Sequence, residues 1–146
     1  DCVPLYFLDP VKRAAGLAHA GWRGTVAGIA LETVKRMNEA FGSRPEDMLV
    51  GIGPSICRDC YEVDEPVVSR LKENIGSWRD VITPLGKGKF LLDLQLTNRI
   101  VLQKAGIREE NITDSGLCTM CNGELFYSYR REGKDTGSLA ALLQLA

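Results

Sequence analysis

Two residue types with metal-binding or nucleophilic chemistry stand out by scarcity and spacing. There is one histidine, His19, and there are five cysteines: Cys2, Cys57, Cys60, Cys118 and Cys121. A single imidazole excludes a self-contained multinuclear copper centre or a two-histidine zinc site within these 146 residues. Cys2 alone reads as a buried thiol. Beside His19 it gains two chemistries, a thiolate nucleophile with an imidazole base or two ligands of zinc. Parallel neighbouring strands could juxtapose the pair.

The stretch His19-Ala20-Gly21-Trp22-Arg23-Gly24-Thr25 lies where a strand hands over to a helix. Its glycines allow close backbone approach, and the free N–H groups of a helix start attract anions. Arg23 adds a bidentate phosphate or carboxylate contact, so Arg23 and Gly24 are candidate phosphate-binding residues. The alternative is a tight turn with Trp22 on the core and His19 satisfied by a carbonyl. Two C-x-x-C pairs, Cys57/Cys60 and Cys118/Cys121, suggest a four-cysteine zinc site. However, 57 residues separate them, where about 15–20 is usual, and each pair also reads as ordinary core or loop cysteine. In Phe126-Tyr127-Ser128-Tyr129-Arg130-Arg131, strand alternation puts Arg130 on the face of Phe126. An arginine on a buried face needs an anion, either a carboxylate such as Asp93 or a bound phosphate.

The elements that must position these residues follow from periodicity. Val3–Leu8 and Arg13–Ala20 read as strands. Val26, Ile29, Ala30, Thr33, Val34 and Met37 make one apolar face of a helix running from Gly24-Thr25 to Gly42. Met48–Ile52 reads as a strand, and Asp64 as the N-cap of a helix to about Asn74. Residues 76–89 read as loop and Phe90–Leu92 as a strand. Asp93 caps a helix Leu94–Lys104 that stops at Gly106. Ile112–Ser115, Phe126–Arg130 and Leu139–Leu145 read as strands. The expected class is α/β (α+β), a mixed β-sheet layered with helices.

Net charge is −1 and no apolar run approaches the ~20 residues of a membrane span, so neither nucleic acid nor membrane is an expected partner. The first ten residues lack the basic start of a signal peptide, and five cysteines is an odd number. The expected setting is cytoplasmic, with reduced thiols or metal ligands.

Together these segments resemble the YfiH/laccase-domain family, whose members are also described as polyphenol-oxidase-like or purine nucleoside phosphorylase proteins. The resemblance is carried by Asp1-Cys2-Val3-Pro4-Leu5, by the His19–Thr25 stretch, and by Gly53-Pro54-Ser55-Ile56 through Cys60-Tyr61-Glu62-Val63. It continues in Leu91-Leu92-Asp93-Leu94 with Asn98, Leu117-Cys118-Thr119 and Phe126 through Gly133. It implies a three-layer fold, likened to deamidating-toxin cysteine hydrolases, and a zinc site of one cysteine and two histidines. Cys2 and His19 match two of these ligands; the remaining histidine lies ahead of the Asp-Cys motif in the family. The expectation is therefore one YfiH-like domain over residues 1–146, lacking the family's N-terminal portion. Ser138 stands where the family commonly has arginine, which puts one anion contact in doubt.

The activity that the resemblance implies is phosphorolysis of adenosine, inosine and related purine nucleosides, with possible adenosine deamination. Purine nucleoside and phosphate are then the partners, and zinc is the cofactor. Arg23 is the expected phosphate clamp, Arg130 a weaker one, and Cys2, His19 and Arg23 the expected catalytic set. The alternatives are a Cys–His hydrolase, a structural zinc-binding domain held by the knuckle cysteines, and an inactive fragment. A zinc with two protein ligands is expected to bind weakly or not at all. The family reading displaces the four-cysteine idea and leaves those cysteines without a role.

Overall fold

The computed structural model describes residues 1–146 throughout. β1 (Val3–Asp9) and β2 (Ala14–Ala20) form an antiparallel pair with Pro4 opposite His19 and Val3 opposite Ala20. β3 (Leu49–Ile52) pairs antiparallel to β1, and β7 (Ile112–Asp114) pairs parallel to β3. The sheet order is β2-β1-β3-β7. A second sheet, β4-β6-β5, is built from β4 (Glu62–Asp64), β5 (Ile82–Gly86) and β6 (Lys89–Leu92), all antiparallel. This is the mixed, helix-layered architecture that the pattern predicts.

Strand alternation decides what the large sheet buries. Val3, Leu5 and Phe7 are fully buried, whereas Pro4, Tyr6 and Leu8 between them are half-buried. Each apolar side chain of this size contributes about 1.5–3 kcal/mol on burial. The buried face meets α2 (Ile29–Phe41) through Ala30, Val34 and Met37. α4 (Leu94–Lys104) packs on α2, and α3 (Glu65–Asn74) packs on β4 and β6. One apolar core of 23 buried residues runs through both sheets and the helices. α4 has the predicted ends. The Asp93 carboxylate accepts from the Leu96 amide at 2.8 Å, and Gly106 takes φ +94° where the chain leaves.

Several expectations are corrected. The helix predicted as continuous to Gly42 is two pieces, α1 (Trp22–Val26) and α2, separated at Gly28 with φ +78°. Apolar spacing survives such a break, so periodicity does not reveal it. Residues 76–89 contain a 3-10 turn, β5 and a hairpin into β6. Lys87 and Gly88 both have positive φ, as a tight two-residue hairpin turn requires. Asp64 precedes α3 but its side chain makes no capping bond.

The strand expected at Ile112–Ser115 forms as β7, but the last two expected strands do not form. Leu139–Leu145 has no regular structure. Phe126–Arg130 is not a strand either: Ser128 caps a single helical turn, α5 (Tyr129–Glu132). The Ser128 hydroxyl and the Arg130 amide both donate to the Asp1 carboxylate at 2.8 Å, which turns the backbone away from any sheet edge.

Candidate functional site

Cys2 and His19 do meet, across an antiparallel pair rather than a parallel one. Pro4 faces His19 in the register, so Cys2 falls opposite Gly21 and on the same face as His19. Gly21 leaves the space between them open. A Cβ at Gly21 would stand 2.8 Å from Cys2 Sγ and 3.6 Å from His19 Nε2. The two donor atoms thus border one small gap that a side chain would fill. Both residues are exposed, and both line a cleft of ≈ 590 Å³. Tyr6, Tyr127 and Tyr129 line it with aromatic rings, and residues 136–141, Ser138 among them, also line it.

The turn that carries His19 is fixed from below. Buried Thr25 donates to the Ala20 carbonyl at 3.2 Å and accepts from Asn98 Nδ2 of α4 at 3.0 Å. Gly24 sits where a Cβ would be 3.1 Å from the His19 carbonyl, so its conformation-neutral smallness lets α1 close on β2. α1 has five residues, which leaves little of the macrodipole expected from a helix continuing to Gly42.

Arg23 is exposed and stacks on Trp22, with its guanidinium carbon 4.5 Å from the ring centre. Arg130 is also exposed, which corrects the buried-face reading: no strand exists there to bury it. Its guanidinium donates to the Glu62 carbonyl at 2.7 Å and lies 5.1 Å from the Tyr61 ring centre. Asp93 is committed to the α4 cap and is not its partner. Neither Arg23 nor Arg130 has a carboxylate at ion-pair distance. Arg131, in contrast, is structural. It donates to the carbonyls of Thr119, Met120 and Phe126 and pairs with Glu132.

Two residues acquire roles that the sequence did not reveal. Asp1 accepts from Thr119 Oγ1 at 2.7 Å as well as from Ser128 and Arg130, so it ties the start of β1 to the late loops. Tyr61 feels Cys2, Arg23 and Arg130 together. Burial pushes its phenol up, Cys2 adds to that, and the two arginines pull the other way. It stays a protonated hydrogen-bond donor at neutral pH. The signal for Tyr61 is its place directly after Cys60; for Asp1 there is none beyond its place before Cys2.

The four remaining cysteines, set aside on the family reading, converge. The sulfur atoms of Cys57, Cys60, Cys118 and Cys121 all lie within 4.8 Å of one another, close enough to hold a metal ion. Burial raises the Cys118 thiol, but hydrogen bonds from the Cys57 and Cys121 backbone and thiols outweigh it and draw it down to about 7. Cys60 is pushed up, first by burial and then by its neighbouring thiols.

The donor chemistry of Cys2 and His19, a thiolate and an imidazole around an open gap, fits zinc. No third histidine, cysteine or carboxylate of this chain joins them in a metal-sized cluster. No helix is long and apolar enough to cross a membrane.

A family model described as "Multi-copper polyphenol oxidoreductase laccase" matches residues 1–146. The chain is 43% identical over 143 residues to purine nucleoside phosphorylase YlmD of Bacillus subtilis, covering 98% of this chain and 51% of that protein. It is 38% identical over 138 residues to adenosine deaminase RL5 from an unknown prokaryotic organism, covering 94% and 52%. The crystal structure of the hypothetical protein YfiH of Bacillus licheniformis superposes with a TM-score of 0.88 at 41% identity, covering 92% and 51%. The chain spans about half the length of the curated relatives it matches. Several coppers, as the family description implies, do not fit these residues, because only one imidazole is present.

Proposed function

The chain belongs to this laccase-domain family, and from that premise we propose that the protein is a purine nucleoside phosphorylase with adenosine deamination as a second activity. The observation that carries the reading is the meeting of Cys2 and His19 around the Gly21 gap, at the wall of an aromatic cleft. The names of the relatives supply the substrate class: nucleoside phosphorolysis for one, adenosine deamination for another.

In phosphorolysis a phosphate oxygen bonds to the ribose anomeric carbon, the glycosidic bond breaks, and the electron pair leaves with the purine. Positive charge develops on the sugar and negative charge on the base, so a clamp for phosphate and a donor for the base are needed. Arg23 and Arg130, free of carboxylates, are the proposed phosphate contacts. Tyr61, whose phenol burial keeps protonated, is the proposed donor to the base. Tyr6, Tyr127 and Tyr129 offer faces on which a purine can stack. Cys2 and His19 would hold zinc, which when bound supplies Lewis acidity and, for deamination, activated water. Unpaired thiols favour a reducing, cytoplasmic setting, and this is part of the proposal.

The test is phosphate-dependent conversion of inosine to hypoxanthine and ribose 1-phosphate by the zinc-loaded protein. The expected result is turnover that needs phosphate and is lost in Cys2→Ser and His19→Ala. Base release without phosphate, or full activity in both variants, overturns the reading.

A further inference from the structure

The geometry points to a second, structural metal site: Cys57, Cys60, Cys118 and Cys121 hold one zinc ion as a tetrathiolate. This inference does not rest on the nucleoside reading. Zinc–sulfur bonds of about 2.3 Å place the four sulfurs of a tetrahedral site roughly 3.8 Å apart. The four thiols here are all within 4.8 Å of one another, and Cys60 and Cys121 approach to 3.4 Å. Small side-chain rotations separate the scale of this cluster from that of the ion's shell.

The backbone beneath them is built for two knuckles. Cys57 precedes the 3-10 turn Arg58–Cys60, and the chain turns at Cys118–Cys121, where the Asn122 amide and side chain both return to the Cys118 carbonyl at 3.1 and 2.8 Å. A parallel bridge between Ser55 and Cys118 fixes the turns against each other. Ser55 N donates to the Leu117 carbonyl at 3.2 Å, and Thr119 N to the Ser55 carbonyl at 3.1 Å. The Cys57 amide donates to Cys118 Sγ at 3.3 Å, an N–H···S bond that offsets the negative charge of a thiolate centre. Cys118 is buried, Cys57 and Cys60 are half-buried and Cys121 is exposed, so the centre is held by the fold yet open to an entering ion. Four thiolates leave no coordination position for substrate, which is the mark of a structural site.

The role follows from what the cluster holds. Residues 115–127 form no helix and no strand beyond the Ser55–Cys118 bridge. Their Thr119 hydroxyl bonds Asp1, and their carbonyls take the Arg131 guanidinium. Loading zinc forms four Zn–S bonds to thiolate sulfurs and releases to solvent whatever protons the four thiols still carry. It pins this loop to the turn before β4, and through Asp1 it steadies the strand end that carries Cys2.

The experiment is metal analysis of the reduced full chain after dialysis, in wild type and two double variants. Zinc that survives Cys2→Ser/His19→Ala and disappears with Cys57→Ser/Cys60→Ser supports the site. A second measurement covers the case in which the knuckle variant fails to fold. Cobalt replacing zinc in the wild type is expected to show tetrahedral d–d bands and the thiolate charge-transfer intensity of four sulfurs. In Cys2→Ser/His19→Ala, iodoacetamide is expected to label none of Cys57, Cys60, Cys118 and Cys121 while zinc is bound and all four after chelation. Wild type without zinc, iron in its place, a single-thiolate cobalt spectrum, or zinc lost only with Cys2 and His19 overturns the inference.

Discussion

Cys2 with His19, and the four knuckle cysteines, are two metal-capable regions with opposite designs. The first has two donors, both exposed, around a gap at the wall of a cleft. The second has four donors gathered over a hydrogen-bonded pair of turns, with one of them buried. Open coordination serves chemistry and closed coordination serves structure. On the proposed readings, one side of this chain would meet a ligand and the other would hold the chain together. Asp1 connects them: it precedes Cys2, and its carboxylate grips Thr119, the neighbour of Cys118.

The largest expected effect tests the closed region. Cys118→Ser in zinc-loaded protein is expected to cost about 4 kcal/mol or more, as loss of a structural metal does, measured by urea unfolding. A loss below about 1 kcal/mol would erase the distinction between the two regions. Next comes Gly21→Ala. Its φ of −64° accepts any residue, so the change strains no backbone, but the new methyl would stand 2.8 Å from Cys2 Sγ. Displacing the thiol is expected to lower inosine phosphorolysis about 100-fold in steady-state kinetics, while zinc at the knuckles remains.

Asp1→Asn probes the link. The carboxylate accepts three hydrogen bonds, and weakening a set made to a charged group is expected to cost about 2 kcal/mol. Thermal unfolding with and without a chelator measures it, and the penalty is expected to shrink once the knuckles are emptied. The smallest effect is on the open side. His19→Ala removes an exposed side chain, so stability is expected to change by about 0.5 kcal/mol or less in the same urea assay, even though activity is lost.

Legibility divided along similar lines. β1 was readable because its period-2 alternation coincides with one buried face, and α4 because Asp93 and Gly106 mark both ends chemically. The β5–β6 hairpin was hidden by its own turn chemistry: Pro84, Gly86 and Gly88 give the segment a loop composition. Tyr127, Tyr129 and Arg131 alternate like a strand, yet Ser128 and Asp1 impose a helical turn that periodicity does not encode. The Cys2–His19 pair was raised by residue chemistry and its ligand roles by the resemblance, whereas its antiparallel geometry came from the register. The thiol cluster was visible as two C-x-x-C pairs, but the long separation argued against it. The Ser55–Cys118 bridge makes that separation irrelevant, since it is the sheet's crossover that brings the turns together and not the length of chain between them.

The pairing of β1 with β2 has one more consequence. Cys2 and His19 share a face only because Pro4 is opposite His19. A slip of one residue would turn one of the two inward toward the helices, because side chains alternate with every step. On the proposed reading, ion capture between them would be an assay of strand alignment. A misaligned hairpin could keep its hydrogen-bond ladder and its helical content and still fail to capture metal between these two residues, so ion binding there distinguishes a correctly threaded molecule from one that is merely collapsed.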